Sequence, residues 1–366
     1  MKLMICISQL CKGGAERVVV NLANYLSQKN DITVVSFRKG TLEYDIDERV
    51  KLVELDKTNT TRFKIMRNIR RFFLLNKLLK NEKYDVVLSF LPKPSYMLLL
   101  LKKFRKNRVV VSVRNDPKVE YRSKLNRFLM NWLYPSADGF VFQTKEAQNY
   151  FSKSIRKKSI IIVNSVNPNF IVDYPYAGKR EKVIVSVGRL TRQKNHLLLV
   201  NAFNEVHKKF SNYKLIIYGE GSMRGELENR IRELKLEKFV FLPGVENNIK
   251  DKIYKSSLFV LSSDYEGMPN ALIEAMCLGI PCISTDCPCG GPRELIKDGQ
   301  NGFLVEVNNL NMLVEKIINI LDGEIDLSII SNNANKLSNK MNPIIINKQW
   351  KDYLKKIKDS GVSSGE

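Results

Sequence analysis

The sequence offers few ligands for a metal ion. Its 366 residues include six cysteines and two histidines, His196 and His207, and no two cysteines form a CxxC pair. A zinc site is therefore not expected, and we predict no bound metal and no cofactor. The cysteines lie in segments of buried character, which favours a reduced, cytoplasmic setting.

Long apolar runs are also missing. The stretch MLLLL at residues 97–101 is far shorter than the roughly 20 residues that a membrane-spanning helix needs. The apolar part of the opening MKLMICISQLCK is interrupted by Ser8, Gln9 and Lys12, so it predicts a first strand rather than a signal peptide. We therefore expect a protein that is soluble or peripheral to a membrane.

Two common phosphate-binding fingerprints are absent after the first predicted strand. Neither GxGxxG nor GxxxxGK[ST] occurs there, which disfavours a nicotinamide cofactor and a kinase-like site. Instead, SQLCKGGAERV places Gly13 and Gly14 between a strand and a helix. Glycines let the backbone approach a ligand, and a helix N-terminus supplies N–H groups. A simple tight turn is the alternative explanation.

Basic residues greatly outnumber acidic ones, and the formal net charge is +22. Such a field favours anionic partners: a nucleotide, a nucleic acid or lipid headgroups. The joint abundance of Lys, Asn and Ile would also fit a coding bias. Nucleic-acid binding should bring aromatic platforms beside the basic patches or a known reader motif. Neither is found, so no nucleic-acid partner is expected.

Val- and Ile-rich segments alternate with amphipathic helical ones, which predicts an α/β protein with two parallel, helix-covered sheets. The predicted strands are KLMICIS, ITVVSF, VKLVEL, YDVVLSF, RVVVSV, GFVFQT and SIIIVN, then KVIVSVG, YKLIIYG, FVFLPG, LFVLSS, PCIST and GFLVEV. We expect an N-terminal Rossmann-like domain at 1–165, a linker at 166–180 and a C-terminal one at 181–341. A helix and tail at 342–366 should cross back to the first domain. Ligands of such sheets bind beyond the carboxyl ends of the strands, so a cleft between the domains is expected.

A basic loop follows the first strand of the second half. In SVGRLTRQKNH, Arg189 comes directly after Gly188, and Lys194 stands five residues later, where the next helix is expected to open. Two such cations can clamp a diphosphate and neutralise the charge it gains as a leaving group. A solvated basic loop is the alternative.

A pair of carboxylates occupies DYEGMPNALIEAMCLGIP. Glu266 lies in a loop broken by Gly267 and Pro269, and Glu274 lies in a helix that starts near Asn270 and is otherwise apolar. A glycoside hydrolase also uses two acids. Acids beside helix amides and basic loops suit hydrogen bonding to sugar hydroxyls better than proton transfer. A surface pair is disfavoured because the helix offers little polar face.

These segments together resemble a known family. Glu266 and Glu274 with seven residues between them, GRLTRQKN before them, STDCPCGGPRELI after them and GGAERV near the start are similar to family 4 of the nucleotide-sugar glycosyltransferases. The likeness covers essentially the whole chain in the expected order. It implies the GT-B fold of two Rossmann-like domains, retention of anomeric configuration and catalysis without a metal.

The resemblance also implies residue roles. Glu266 would bind a hydroxyl of the transferred sugar, and Arg189 and Lys194 would hold the diphosphate; these three are the expected catalytic residues. Glu274 would bind the ribose of the nucleotide, and Gly219 and Val245 would border the base. The full set expected to bind the donor is Gly13, Gly14, Gly188, Gly219, Val245, Gly267, Met268, Pro269, Asn270, Ala271 and Glu274.

One position departs from the family pattern. Many members carry a His after the strand that here is RVVVSVRNDP, where this chain has Arg114 and Asn115. The SVRNDP segment resembles a subgroup that builds bacterial surface polysaccharides and glycans on polyprenyl diphosphate carriers. We expect Arg114, Asn115 and Asp116 to position the acceptor or the sugar.

Two segments of the first half favour contact with an anionic membrane. RFKIMRNIRRFFLLNKLLKNEK at 62–83 and YMLLLLKKFRKNR at 96–108 interleave basic and apolar residues. Ordinary core packing of Phe72, Phe73, Leu74 and Leu78 is the alternative. The expected location is cytoplasmic, on the inner face of the cell membrane.

The sequence therefore predicts a hexosyltransferase. It would move a hexose or N-acetylhexosamine (Gal, GalNAc, Glc or GlcNAc) from a UDP-sugar to a polyprenyl-diphosphate-linked saccharide, in O-antigen, capsule or related glycan synthesis. The alternatives are another GT-B enzyme, such as a nucleotide-sugar epimerase, and a non-catalytic basic protein that binds membrane or nucleic acid.

Overall fold

The chain forms two compact units in a computed structural model that describes residues 1–11, 13–38, 40, 44–56 and 64–360. The first unit comprises Met1–Ser165 with Ile344–Glu366, and the second comprises Val166–Pro343. The stretch 166–180, expected as a linker, is packed into the second unit. There Arg180 donates hydrogen bonds to the carbonyls of Ser256, at 3.1 Å, and Gly279, at 2.7 Å.

The first unit is built on a seven-stranded parallel sheet in the order β3-β2-β1-β4-β5-β6-β7. Its strands are β1 (Lys2–Ile7), β2 (Asp31–Ser36), β3 (Val50–Glu54), β4 (Val86–Phe90), β5 (Val109–Ser112), β6 (Gly139–Phe142) and β7 (Ser159–Ile161). Its first helices are α1 (Gly14–Ser27), α2 (Lys64–Asn81), α3 (Pro92–Lys102), α4 (Pro117–Glu120), α5 (Lys124–Leu133), α6 (Lys145–Asn149) and α7 (Lys153–Lys157). Every residue of β4, β5 and β6 is buried, as continuous Val and Ile runs require in a sheet covered on both faces.

The second unit contains a six-stranded parallel sheet in the order β10-β9-β8-β11-β12-β13. Its strands are β8 (Glu181–Val187), β9 (Lys214–Tyr218), β10 (Val240–Gly244), β11 (Ser256–Leu261), β12 (Cys282–Thr285) and β13 (Phe303–Val305). Its helices are α8 (His196–Lys209), α9 (Arg224–Glu233), α10 (Ile249–Ile253), α11 (Asn270–Cys277), α12 (Gly291–Leu295), α13 (Leu310–Leu321), α14 (Leu327–Asn335) and α15 (Leu337–Lys340). Both sheets match the predicted strands in number and order, which confirms the α/β class and the two Rossmann-like halves.

The last helix, α16 (Pro343–Asp359), packs on the first unit. Trp350 is 1% exposed and belongs to the same apolar cluster as β1 and β4, with its ring 6.0 Å from that of Phe90. The Tyr353 hydroxyl accepts a hydrogen bond from the Phe140 amide at 2.9 Å and donates one to the Lys158 carbonyl at 2.7 Å. This helix therefore completes the core of the unit that begins the chain.

The two basic segments predicted to touch a membrane differ in burial. The first begins outside the described residues, and from Lys64 it forms α2 with Ile65, Ile69 and Phe73 exposed. In the second, the leucines of α3 are mostly core, and Phe104 is the apolar side chain left exposed, at 79%. Among the described residues, no helix has the length and apolar character needed to cross a bilayer.

Candidate active site

Loops that follow four neighbouring strands of the second sheet gather at one edge. Because the strands are parallel, their carboxyl ends lie on the same side of the sheet. These loops hold most of the residues that the sequence predicts to bind a nucleotide sugar. They are Gly188, Arg189 and Lys194 after β8, Gly219 after β9, Val245 after β10 and Glu266 to Ala271 after β11.

Lys194 and Glu266 form an ion pair at this edge. Lys194 Nζ lies 2.5 Å from Glu266 Oε1, and the two side chains are 14% and 8% exposed. The Ser263 hydroxyl donates to the same carboxylate oxygen at 2.7 Å. The cation expected to hold a diphosphate and the acid expected to hold a sugar are thus in direct contact, although 72 positions separate them.

The two loops that carry this pair are joined by further hydrogen bonds. The Asp264 amide donates to the Gln193 carbonyl at 2.8 Å, and the Gln193 side chain donates to the Tyr265 carbonyl at 3.0 Å. Asn195 Nδ2 donates to Asp264 Oδ1 at 2.7 Å. Such a network fixes Lys194 and Glu266 relative to each other before any ligand binds.

Glycines allow the close approach of neighbouring loops here. A Cβ on Gly219, whose φ is +141°, would lie 2.0 Å from the Gly188 carbonyl oxygen. A Cβ on Gly188 would lie 3.4 Å from Cδ and Cε of Lys194, so the lysine side chain passes directly over this glycine. The Gly219 position therefore excludes larger residues, whereas a Cβ on Gly188 would lie in ordinary van der Waals contact with the Lys194 side chain.

The helix α11 begins one residue after Pro269, which is its N-cap, so Asn270 is the first helical residue. Ala271 and Asn270 are partly exposed, and Glu274, one turn further, is 7% exposed among fully buried apolar neighbours. Gly267 is packed so tightly that a Cβ on Gly291 would lie 1.7 Å from its carbonyl oxygen. The amides of this turn and the Glu274 carboxylate therefore belong to one tightly packed element.

The prediction that Lys194 opens the following helix is wrong. Lys194 ends a short 3₁₀ turn, Arg192–Lys194, and α8 starts at His196 after Asn195, a left-handed N-cap with φ +44°. The Asn195 side chain accepts from the Leu198 amide at 3.3 Å. Burial lowers the pKa of His196 to about 3, helped by the charge of Lys194, so this imidazole is neutral at physiological pH.

Profile matches and relatives decide the family. The family described as "Glycosyltransferase Family 4" matches residues 12–170, and "Glycosyl transferases group 1" matches residues 175–337. The N-acetylgalactosamine-N,N'-diacetylbacillosaminyl-diphospho-undecaprenol 4-alpha-N-acetylgalactosaminyltransferase of Campylobacter jejuni is 33% identical over 88% of this chain and 91% of its own length. The chain is a family 4 glycosyltransferase.

Two further proteins are similar to the chain over nearly its full length. A second Campylobacter jejuni enzyme, GalNAc-alpha-(1->4)-GalNAc-alpha-(1->3)-diNAcBac-PP-undecaprenol alpha-1,4-N-acetyl-D-galactosaminyltransferase, is 28% identical over 98% of this chain and 100% of its own. The solved structure of Anabaena Alr3699/HepE in complex with UDP is similar, with a TM-score of 0.82 over 97% of this chain and 100% of that chain at 18% identity. The latter shows that this glycosyltransferase has the GT-B fold.

In the first unit of the glycosyltransferase, Gly13 caps α1 and is held by Tyr44. The Gly13 amide donates to the Tyr44 hydroxyl at 3.1 Å, and that hydroxyl donates to the Gly13 carbonyl at 2.9 Å. A Cβ on Gly13 would lie 2.2 Å from Glu16 Oε2, so a carboxylate sits beside this helix N-terminus. Neither contact was predictable from sequence, and the donor role of Gly13 and Gly14 stays a prediction.

The three residues expected to position the acceptor or sugar have different surroundings. Arg114 is 9% exposed and lies beyond β5, while Asn115 is partly exposed. Asp116 is 3% exposed and caps α4 by accepting from the Lys118 amide at 2.8 Å. One oxygen of Asp116 therefore serves the backbone, and the expected role of the three residues in positioning a substrate stays a prediction.

Proposed function

We propose that the protein is a retaining, metal-independent glycosyltransferase that uses a UDP-sugar. It would transfer a hexose or N-acetylhexosamine to a saccharide carried on a polyprenyl diphosphate. The observation that carries this proposal is the Lys194–Glu266 pair, held at the carboxyl edge of a parallel sheet beside the first turn of α11. A cation, a carboxylate and helix amides supply the three kinds of group that a sugar diphosphate needs.

The ion pair suggests how the donor is received. Lys194 would turn from Glu266 toward a diphosphate oxygen, and Arg189, which is exposed at the same loop, would provide a second charge. The freed Glu266 carboxylate could then accept a hydrogen bond from a sugar hydroxyl, with Ser263 still bound to it at 2.7 Å. The positive groups would stabilise the leaving diphosphate without a divalent cation.

The nucleotide would be held on the other side of the first turn of α11. Glu274 is buried one turn into α11, where it could accept hydrogen bonds from ribose hydroxyls. Gly219 and the half-exposed Val245 follow β9 and β10 and would border the base. The UDP found in the Anabaena neighbour supports uracil as that base.

The names of the two Campylobacter jejuni enzymes support the acceptor and the stereochemistry. Both describe α-linked transfer to an undecaprenol-diphosphate-linked saccharide. Since UDP-hexoses carry the sugar in α linkage, an α-linked product means retention. Front-side attack would suffice, with the leaving phosphate oxygen taking the proton of the acceptor hydroxyl, so no protein base is required.

The surface of the first unit supports contact with an anionic membrane. On α5, Leu125, Phe128 and Trp132 are exposed at helical spacing, and Lys103 Nζ lies 3.9 Å from the Trp132 ring centroid. The exposed residues of α2 form a second apolar stripe beside basic positions. Apolar side chains flanked by Lys and Arg suit a peripheral position on an anionic bilayer.

A donor and acceptor screen tests the function. The protein is incubated with a panel of UDP- and GDP-sugars, with and without a short polyprenyl-diphosphate-linked saccharide, in the presence of a chelator. We expect one UDP-sugar to be consumed rapidly only with acceptor, and the chelator to have no effect. Consumption without acceptor and with formation of an epimer would favour an epimerase, and a requirement for added metal would contradict the metal-independent mechanism.

A further inference from the structure

Three polar side chains meet at the carboxyl edge of the first sheet. Arg114 follows β5, Gln143 follows β6 and Asn164 lies beyond β7. The Arg114 Nη2 group and Gln143 Nε2 both donate to Asn164 Oδ1, the latter at 2.8 Å. Arg114 is 9% exposed, and Gln143 and Asn164 are 3% exposed. We name these three residues the edge cluster.

The edge cluster contains buried polar atoms that lack hydrogen-bond partners. They are Arg114 Nε, Arg114 Nη1 and Gln143 Oε1. Within the described part of the chain, no carboxylate forms an ion pair with Arg114. Its guanidinium carbon lies 5.6 Å from the centroid of the Phe90 ring, an apolar neighbour.

This arrangement is unfavourable for folding alone. Burial lowers the pKa of Arg114 to about 9, because the charged form loses hydration that no anion replaces. A buried cation without a partner destabilises the folded state, and each unsatisfied donor adds to that penalty. A guanidinium is a fork of N–H donors that fits phosphate oxygens, and a free amide oxygen fits a hydroxyl. Both missing partners are groups of a phosphorylated saccharide.

We propose that the edge cluster is a substrate site in which Arg114 donates to a phosphate oxygen and Gln143 Oε1 accepts from a sugar hydroxyl. The inference rests on the proposed glycosyl transfer for the identity of the substrate. The phosphate could belong to the diphosphate of the acceptor or to that of the donor, and the chemistry at Arg114 is the same. Gln143 and Asn164 are added by the structure to the residues that the sequence suggested.

Steady-state kinetics show whether the phosphate that Arg114 binds belongs to the acceptor or to the donor. Arg114→Gln should raise one KM by about 10- to 100-fold, as expected for the loss of a charged hydrogen bond. A rise for the lipid-linked saccharide would assign the acceptor diphosphate, and a rise for the UDP-sugar would assign the donor diphosphate. Arg114→Lys should recover part of the loss, and Arg156→Gln, an equal charge change at an exposed position of α7, should change neither. Unchanged KM values in Arg114→Gln would overturn the proposal.

Calorimetry with inorganic pyrophosphate tests the site without turnover. Pyrophosphate is titrated into wild type and Arg114→Gln, each with and without saturating UDP. Weaker binding to Arg114→Gln in either condition supports the site, and equal binding in both conditions overturns it. If wild type transfers no sugar in any assay but pyrophosphate binding depends on Arg114, the proposed function fails while the anion site stands.

Thermal stability distinguishes a substrate-binding role of Arg114 from a structural one, because the two roles predict opposite changes in Tm when Arg114 is replaced. Arg114→Met removes an unpaired buried charge, and Gln143→Glu supplies it with an anion within the edge cluster. We expect Tm to stay equal or rise in Arg114→Met, where Asn164 Oδ1 keeps its hydrogen bond from Gln143, and pyrophosphate binding to weaken in both variants. A lower Tm in both variants with wild-type pyrophosphate binding would show that Arg114 serves the fold and would overturn the proposal.

Discussion

The Lys194–Glu266 pair allows stability and activity to be separated in one experiment. Lys194→Met leaves the Glu266 carboxylate, which is 8% exposed, with Ser263 as its remaining described partner. Removing one member of a buried pair typically costs about 3–5 kcal/mol, because the other charge stays buried without compensation. Since Lys194 is 14% exposed, we expect the lower part of that range, about 3 kcal/mol, for unfolding of the ligand-free protein.

The double variant Lys194→Met, Glu266→Gln removes both charges. Its free energy of unfolding should return to within about 1 kcal/mol of wild type, because no buried charge is left unpaired. Transfer activity should not return, since each residue is assigned its own contact with the donor. Lys194→Met alone should weaken UDP binding, and Glu266→Gln alone should lower kcat, each by about 10- to 100-fold.

Urea titration of ligand-free protein and initial-rate kinetics measure the two quantities on the same four proteins. Lys209→Met at the end of α8, which breaks a surface pair with Asp322, is the matched control and should change both quantities by little. A double variant less stable than either single variant would refute the electrostatic account of the pair. A double variant with restored activity would refute the assignment of both residues to the donor.

Three further predictions concern other parts of the molecule. Glu274→Gln should raise the KM for UDP-sugar about tenfold, and the penalty should be smaller with a 2′,3′-dideoxyribose donor analogue; an equal penalty would argue against a ribose contact. Burial raises the pKa of Glu120 to about 7, so the native state holds a proton that the unfolded state has lost, and the free energy of unfolding should fall as pH rises from about 4.5 to 7. Glu120→Gln should flatten that part of the profile in urea titrations at several pH values. Phe128→Ser with Trp132→Ser should weaken binding to anionic liposomes about tenfold in a sedimentation assay, and undiminished binding would exclude α5 from the membrane contact.

The sheets were predictable from sequence because buried parallel strands carry continuous apolar runs. The strands KLMICIS and YDVVLSF contain β1 and β4, and each predicted strand of the second unit overlaps an observed one, although β8 and β11 begin earlier than predicted. Glycines after strands also marked loops that approach each other closely, since a Cβ on Gly219 would lie 2.0 Å from the Gly188 carbonyl oxygen. The helix ends were less well placed: α8 starts two residues after Lys194, because Asn195 takes the cap.

Contacts between distant parts of the chain could not be predicted. Lys194 and Glu266 are brought together by the pairing of β8 with β11. Their separation along the sequence does not show that the two side chains are in contact. The edge cluster depends in the same way on the adjacency of β5, β6 and β7. The burial of the leucines in segment 96–108 could not be predicted for another reason. A leucine run beside basic residues has the same composition whether its leucines face lipid or, as in α3, the core.

The stereochemistry of the transferred sugar tests the central claim most directly. A UDP-sugar identified by the screen is incubated with a synthetic polyprenyl-diphosphate-linked saccharide, and the first product formed is examined by proton NMR for its anomeric coupling constant. The account predicts an α-linked product from wild type and almost none from Glu266→Gln or Lys194→Met. A β-linked product, or wild-type rates in both variants, would contradict it.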